Sequence, residues 1–195
     1  MESPILQTNK VLLRLVQQDD KDAFHQLAQD EEMWQYFTLN LSDEQQLQQW
    51  LDTAFNDHKA GTRIPFTIIE KSSNRITGSM SIGNISVFDQ RAEIGWSWLG
   101  KEFRGNHINR HAKYAMMRHI FDVWDFERLE FKTDVLNERA RQGLRKIGGI
   151  EEGVLRSHMK MWNNRRRTSI YYSILKNEWI GVKQQIFKDI EDENF

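Results

Sequence analysis

The chain has 195 residues, 39% of them apolar and including seven Trp and eleven Phe, enough for a substantial core, and its formal net charge is −1. It contains no cysteine, which excludes disulfide staples, thiolate zinc sites and cysteine nucleophiles and suits a reducing cytoplasm, the expected location. No apolar run reaches membrane-spanning length and the start MESPILQTNK lacks the pattern of a signal peptide, so no membrane partner is expected.

In chain order, KVLLRLVQ (10–17) reads as a strand, and Asp19 or Asp20 can cap a short helix bearing Ala23, Phe24, Leu27 and Ala28. Ser42 and Gln45 have the form of a capping box, before a helix with Leu47, Trp50, Leu51 and Ala54 at helical spacing and Gly61 as its stop. Three β-rich runs follow, 64–70, 75–88 and 92–99, parted by SSN and DQ. A helix is expected from about 106 to 124, then the strand RLEFKTDV (128–135), then a helix capped by Asn137 and ended by Gly148-Gly149. Two strands near 150–160 and 167–176 surround the turn NN (163–164), and an amphipathic tail carries Trp179, Val182, Ile186 and Ile190. No repeat or linker interrupts the chain, so one domain over 1–195 is expected, with a core of about 10–176 and a tail of 177–195. The order β α α β β β α β α β β implies an α/β (α+β) fold: a mostly antiparallel sheet with one parallel pair and helices on both faces.

The segment LGKEFRGNHINRH (99–111) is not explained by core building. A helix N-terminus exposes unpaired N–H groups and about half a positive charge, a ready site for an anion. Arg104 and Arg110 flank this one, and Gly105 lets the backbone approach a ligand. The turn is neither a Walker A loop nor a dinucleotide G-x-G-x-x-G motif.

Several segments are distinctive: AEIGW, the G-x-x-I-N of Gly105, Ile108 and Asn109, EFKTDVLNERAR, EGVLRSHM and YYSI with EW. Together they resemble the GNAT superfamily of acyl-coenzyme A-dependent N-acyltransferases, in its RimJ/RimL-like branch of ribosomal-protein N-acetyltransferases. The likeness runs from about residue 10 to residue 182. It implies acetyl-CoA as acyl donor, no metal, and an amine acceptor, with the chain a monomer or homodimer. The backbone of Arg104, Gly105, Asn106, His107, Ile108, Asn109 and Arg110 would cradle the coenzyme pyrophosphate. The pantetheine arm would pair with the strand near Trp98 and Leu99, entering where that strand splays from 128–135. Asn137 would touch the coenzyme arm and Arg141 the nucleotide end. The chain departs from the branch at His107, where glycine is common, at His111 (glutamate) and at Ala140 (serine).

Acyl transfer needs a neutral amine, a polarised carbonyl and a proton for the thiolate. The candidate bases are Glu93 and Glu130, for each of which a salt-bridged structural role is the competing reading. A backbone N–H near Leu99 would polarise the carbonyl. The acidic tyrosine usual in relatives is missing from the helix after Asn137, leaving water, Tyr171 or Tyr172.

Residues 1–60 hold four basic and eleven acidic side chains, a balance of −7, while 101–146 hold eleven basic and seven acidic, a balance of +4. The acidic half favours a cationic acceptor such as a peptide or protein N-terminus, a polyamine or another small amine, unless the two surfaces are merely solvated. His107 and His111 have the i, i+4 spacing of metal ligands but no nameable third ligand, so surface histidines are expected. Trp96 and Trp98 share a strand face and could wall the cleft; Trp50, Trp124 and Trp179 read as core. The run RRR (165–167) near a hairpin tip could touch a coenzyme phosphate or RNA, but a solvated turn is the expected reading, since one short basic cluster is a poor nucleic-acid signal. The alternative to an enzyme is a non-catalytic acyl-CoA-binding sensor with the same fold.

Overall fold

A computed structural model describes residues 4–193, with side chains placed through residue 190. Its eight strands are β1 (Leu6–Gln7), β2 (Val11–Leu15), β3 (Arg63–Glu70), β4 (Arg75–Ser86), β5 (Arg91–Leu99), β6 (Arg128–Asp134), β7 (Ile150–Lys160) and β8 (Arg166–Leu175). They form one sheet in the order β1-β2-β3-β4-β5-β6-β8-β7. Every pair is antiparallel except β5–β6. The helices are α1 (Lys21–Leu27), α2 (Glu44–Lys59), α3 (Ile108–Arg118), α4 (Glu138–Lys146), α5 (Lys176–Ile186) and α6 (Lys188–Glu193). The expected order is observed, with the two-residue β1 added. Among the described residues no helix is long and apolar enough to cross a membrane.

Period-2 alternation sorts the strands between two cores. Ile64, Phe66 and Ile68 of β3 and Leu129 and Phe131 of β6 enter the larger core, with Ile108 and Met116 of α3, Leu144 of α4 and Trp179 of α5. The opposite face meets α1 and α2 through Phe24, Trp34, Leu47, Trp50, Leu51 and Trp98. Phe24 and Trp34 meet the Trp98 ring edge-on at 5.3 and 5.6 Å. Each fully buried aromatic here contributes roughly 1.5–3 kcal/mol. On this face α1 packs on β4 and α2 on β3, and β7 is the exposed edge strand of the sheet.

Two helices differ from their expected boundaries. α2 is capped by Asp43, whose carboxylate accepts from Gln46 N–H at 2.9 Å, while Ser42 bonds Asn40 instead. A carboxylate next to the positive helix end displaces the hydroxyl one residue earlier. α3 starts at Ile108 rather than 106 and runs into a π-helical turn, His119–Val123. Asn137 does cap α4, accepting from Ala140 N–H at 3.0 Å.

Candidate active site

β5 and β6 pair only at Arg91–Arg128, Ala92–Leu129 and Glu93–Glu130, and then diverge. Their divergence opens a gap in the sheet whose β5 wall runs toward Leu99. That wall is bent: Ser79 faces Trp98 and Ser81 faces Gly95, so Met80 alone opposes Trp96 and Ser97. The extra residue is a β-bulge, with Trp96 at φ +52°. Trp96 therefore lies over the Arg63 guanidinium at 4.5 Å, while Trp98 joins the α1–α2 core. Of the pair expected to wall the cleft, Trp96 is the one that stands beside it.

Glu93 sits at the vertex, 2% exposed. Its Oε2 accepts from Asn84 at 2.7 Å and from Lys132 Nζ at 2.8 Å. Its Oε1 lies over Gly95, where an added Cβ would come within 2.8 Å. One carboxylate oxygen is thus locked by the protein and the other has no bonded partner among the described residues. Glu130 is more committed: Arg128 Nε donates to it at 2.9 Å and Arg91 lies 3.7 Å away.

The turn after β5 places its donors outward. Phe103 and Arg104 N–H close a short turn on Gly100 and Lys101, and Ile108 N–H bonds Asn106 Oδ1 at 3.0 Å. The amides of Gly105, Asn106, His107, Asn109 and Arg110 find no acceptor among the described residues. Gly105 has φ +79°, and open space surrounds the position a Cβ would take. The conformation needs glycine for its backbone, and the space lets a ligand reach the amides. This concavity of main-chain donors at the start of an eleven-residue helix suits a phosphate.

Both arginines beside the turn are engaged. Arg104 bonds Asp30 at 2.6 Å and the Leu99 carbonyl at 2.8 Å. Arg110 forms a bidentate pair with Asp189 and also bonds the Ile186 carbonyl. Arg141 bonds Val135, Glu138 and the Tyr172 hydroxyl. His107 is half-exposed, 3.9 Å from Glu70, but His111 is buried and hydrogen-bonded to the Thr8 hydroxyl at 2.9 Å. The expectation of a surface histidine fails at 111 because the β1–β2 turn folds over that face of α3. Among the described residues no three His, Asp or Glu side chains gather as a metal site.

Residues 10–150 match the acetyltransferase (GNAT) domain family. The chain belongs to that family. The Bacillus subtilis protein YdaF, named as a ribosomal N-acetyltransferase, is 33% identical over 108 residues. That match covers 55% of this chain and 58% of YdaF, so the chain spans less than two thirds of this relative. A GCN5-related N-acetyltransferase from Brucella melitensis superposes with a TM-score of 0.88 at 24% identity, covering 100% of this chain and 89% of that one. Mycobacterium smegmatis RimJ, solved in complex with CoA-disulfide, gives 0.78 at 19%, covering 96% and 94%. The GNAT chain accordingly shares its eight-stranded, mostly antiparallel sheet with the solved structures of that fold.

On the sheet face that carries Glu93, further polar side chains stand near it. Lys132 lies 5.7 Å from the Trp96 ring and 6.0 Å from the Tyr171 ring. His158 bonds Ser169 and stands 5.9 Å from Tyr171. Burial, with the negative charges of Glu93 and Glu130, raises the Tyr171 phenol above its ordinary value and keeps it protonated. Burial, then Lys132 and Arg167, lowers His158. Tyr172 alternates to the other face, where its hydroxyl meets Arg141 and Glu151. On α3, Lys113 is buried over the Phe131 ring at 5.9 Å, and burial lowers it to about 8.

Lys132, Asn84, His158, Arg167 and Lys113 were not anticipated. The alternation of RLEFKTDV already sets Lys132 on the face of Glu130, so that one was discoverable. Asn84 was not, because it depends on a left-handed residue beside the β4–β5 register shift.

Proposed function

We propose that this protein transfers an acetyl group from acetyl-CoA to a primary amine in a ternary complex. The free amides of Gly105, Asn106, His107, Asn109 and Arg110, within the turn from Arg104 to Arg110, would hold the pyrophosphate, and the β5 backbone near Trp98 and Leu99 the pantetheine. Arg104 donates to the Leu99 carbonyl, so that acceptor on this wall is already engaged. The two arginines act by fixing the turn: Arg104 ties it to β5 and Asp30, and Arg110 ties α3 to the tail. Asn137 caps α4 and Arg141 lies in its first turn, following β6 in the chain. Bound acetyl-CoA supplies the thioester carbonyl and a thiol leaving group.

Glu93 accepts the amine proton through Oε1, directly or through one water, while Lys132 and Asn84 hold Oε2 and fix the plane of the carboxylate. An α-amine, with an ordinary pKa near 8, needs only such a modest base. A β5 N–H stabilises developing negative charge on the carbonyl oxygen. Tyr171, protonated across the neutral range, holds the proton for the departing sulfur. Glu130 acts through Arg128 and Arg91 as part of the sheet's charge network. The name of YdaF favours a peptide or protein N-terminus over a small amine.

The observation that carries this reading is a buried, half-engaged carboxylate at the vertex where β5 and β6 part. The test is thiol release from acetyl-CoA across a panel of amines, with Glu93→Gln as control. Turnover that collapses in the variant supports it. Coenzyme binding with no turnover on any amine would instead make the protein an acyl-CoA sensor.

A further inference from the structure

The three arginines of 165–167 separate at the start of β8. Arg165 pairs with Asp134 and reaches the Gln35 carbonyl at 3.3 Å. Arg166 turns out to Ser157. Arg167 turns in: strand alternation places it with Ser169 and Tyr171 on the face of Glu93, and it is 8% exposed. Its Nε is sealed from solvent with no acceptor, and its guanidinium forms no hydrogen bond or ion pair with any described residue.

Nearby carboxylates do not complete it. Asp134 is taken by Arg165 and by the Leu136 amide, and Glu93 Oε2 by Lys132 and Asn84. Glu93–Lys132 and Asp134–Arg165 each cancel, so one positive charge is left over, buried beside the gap. An unpaired buried guanidinium is costly unless something arrives to pair with it. The β7–β8 tip is also held in place: Trp162 Nε1 donates to the Trp34 carbonyl at 3.0 Å, tying it to the turn between α1 and α2.

We propose that Arg167 binds a carboxylate of the acceptor, so that the preferred acceptors are amines carrying a carboxylate close to the reacting nitrogen. A polyamine or aminoglycoside brings only more positive charge to Arg167, Lys132 and Arg63 and leaves the guanidinium unpaired. Two charges of the acidic balance of residues 1–60 are offset by arginines outside that segment: Asp30 pairs with Arg104 and Asp57 with Arg63. The proposal rests on the acetyl-transfer reading above. The carboxylate has two possible sources, the α-carboxylate of a free amino acid or an acidic first side chain of a peptide.

Thiol release from acetyl-CoA is measured with matched acceptors: amino acids against their amides, peptides beginning with Asp or Glu against Asn or Gln, and spermidine. The wild type is expected to favour the acid of one set by about tenfold or more in kcat/KM, the scale of a charge-assisted hydrogen bond. The set that shows the preference names the source. In Arg167→Gln the acid-to-amide ratio falls toward one, and Arg167→Lys restores part of it. Ratios near one in the wild type, a preference that survives Arg167→Gln, or spermidine as the best acceptor would overturn the proposal. Absence of turnover on every amine defeats the acetyl-transfer reading instead. Binding of N-acetyl amino acids against their amides, followed by tryptophan fluorescence with coenzyme A present, then decides the inference separately. Carboxylate-dependent binding lost in Arg167→Gln supports it, and no carboxylate dependence overturns it.

Discussion

Lys132 Nζ, two residues beyond the last paired level of β5 and β6, donates to Glu93 Oε2 at 2.8 Å. The contact joins the strands where they part, and it leaves Glu93 Oε1 as the oxygen turned to the gap over Gly95. The carboxylate proposed as the base is thus also half of a structural ion pair, with the two roles divided between its two oxygens.

Glu93→Gln should keep the fold, since the amide can still accept from Lys132 and Asn84, and should lower kcat by on the order of 10²-fold or more. Steady-state kinetics with saturating acetyl-CoA, alongside circular dichroism, checks both parts. A kcat within twofold of wild type would remove Glu93 from the chemistry.

Tyr171→Phe should lower kcat by roughly 10- to 100-fold with little change in the KM for acetyl-CoA. Because burial, Glu93 and Glu130 hold the wild-type phenol protonated beyond its ordinary value of 10.0, wild-type kcat should show no alkaline loss from this group below pH 10. A pH–rate profile of both proteins reads this. An unchanged kcat in the variant would hand the thiolate's proton to water.

Lys113 gives a stability prediction with a sign. Its value falls from 10.5 to about 8 on folding because burial opposes its charge. Below about pH 8 the amine is charged in both states and the full penalty applies, about 3 kcal/mol as an order of magnitude. Between about 8 and 10.5 the folded state has lost the proton and the unfolded state has not, so stability rises with pH. Lys113→Met should therefore stabilise the protein at pH 7, with an advantage that shrinks toward pH 10. Urea melts at the two pH values test it, and a variant less stable at pH 7 contradicts it.

Much of the fold could be read from the sequence because alternation and caps are local: IPFTIIE announces its strand, and Asn137 its helix. The site is harder because its decisive contacts are long-range. His111 is buried by Thr8, 103 residues away. In AEIGWSWL only Gly95 hints at a bulge, and the residue that takes positive φ is its neighbour Trp96, where the sequence carries no turn signal. Arg104 and Arg110 stand where a phosphate site would want them, yet Asp30 and Asp189, distant in sequence, had already claimed them in the fold. Arg167 was legible in principle: carrying the alternation of SIYYSIL two residues back turns it inward, which a reading of RRR as a basic cluster conceals.

Titration calorimetry with coenzyme A tests the central claim most directly. The wild type is expected to bind one equivalent. Gly105→Val, which fills the open space before the unpaired amides and strains a φ of +79°, should weaken that binding by tenfold or more while the melting temperature falls only slightly. No heat of association in the wild type, or equal affinity in the two proteins, would contradict the assignment of this turn as the coenzyme's anchor.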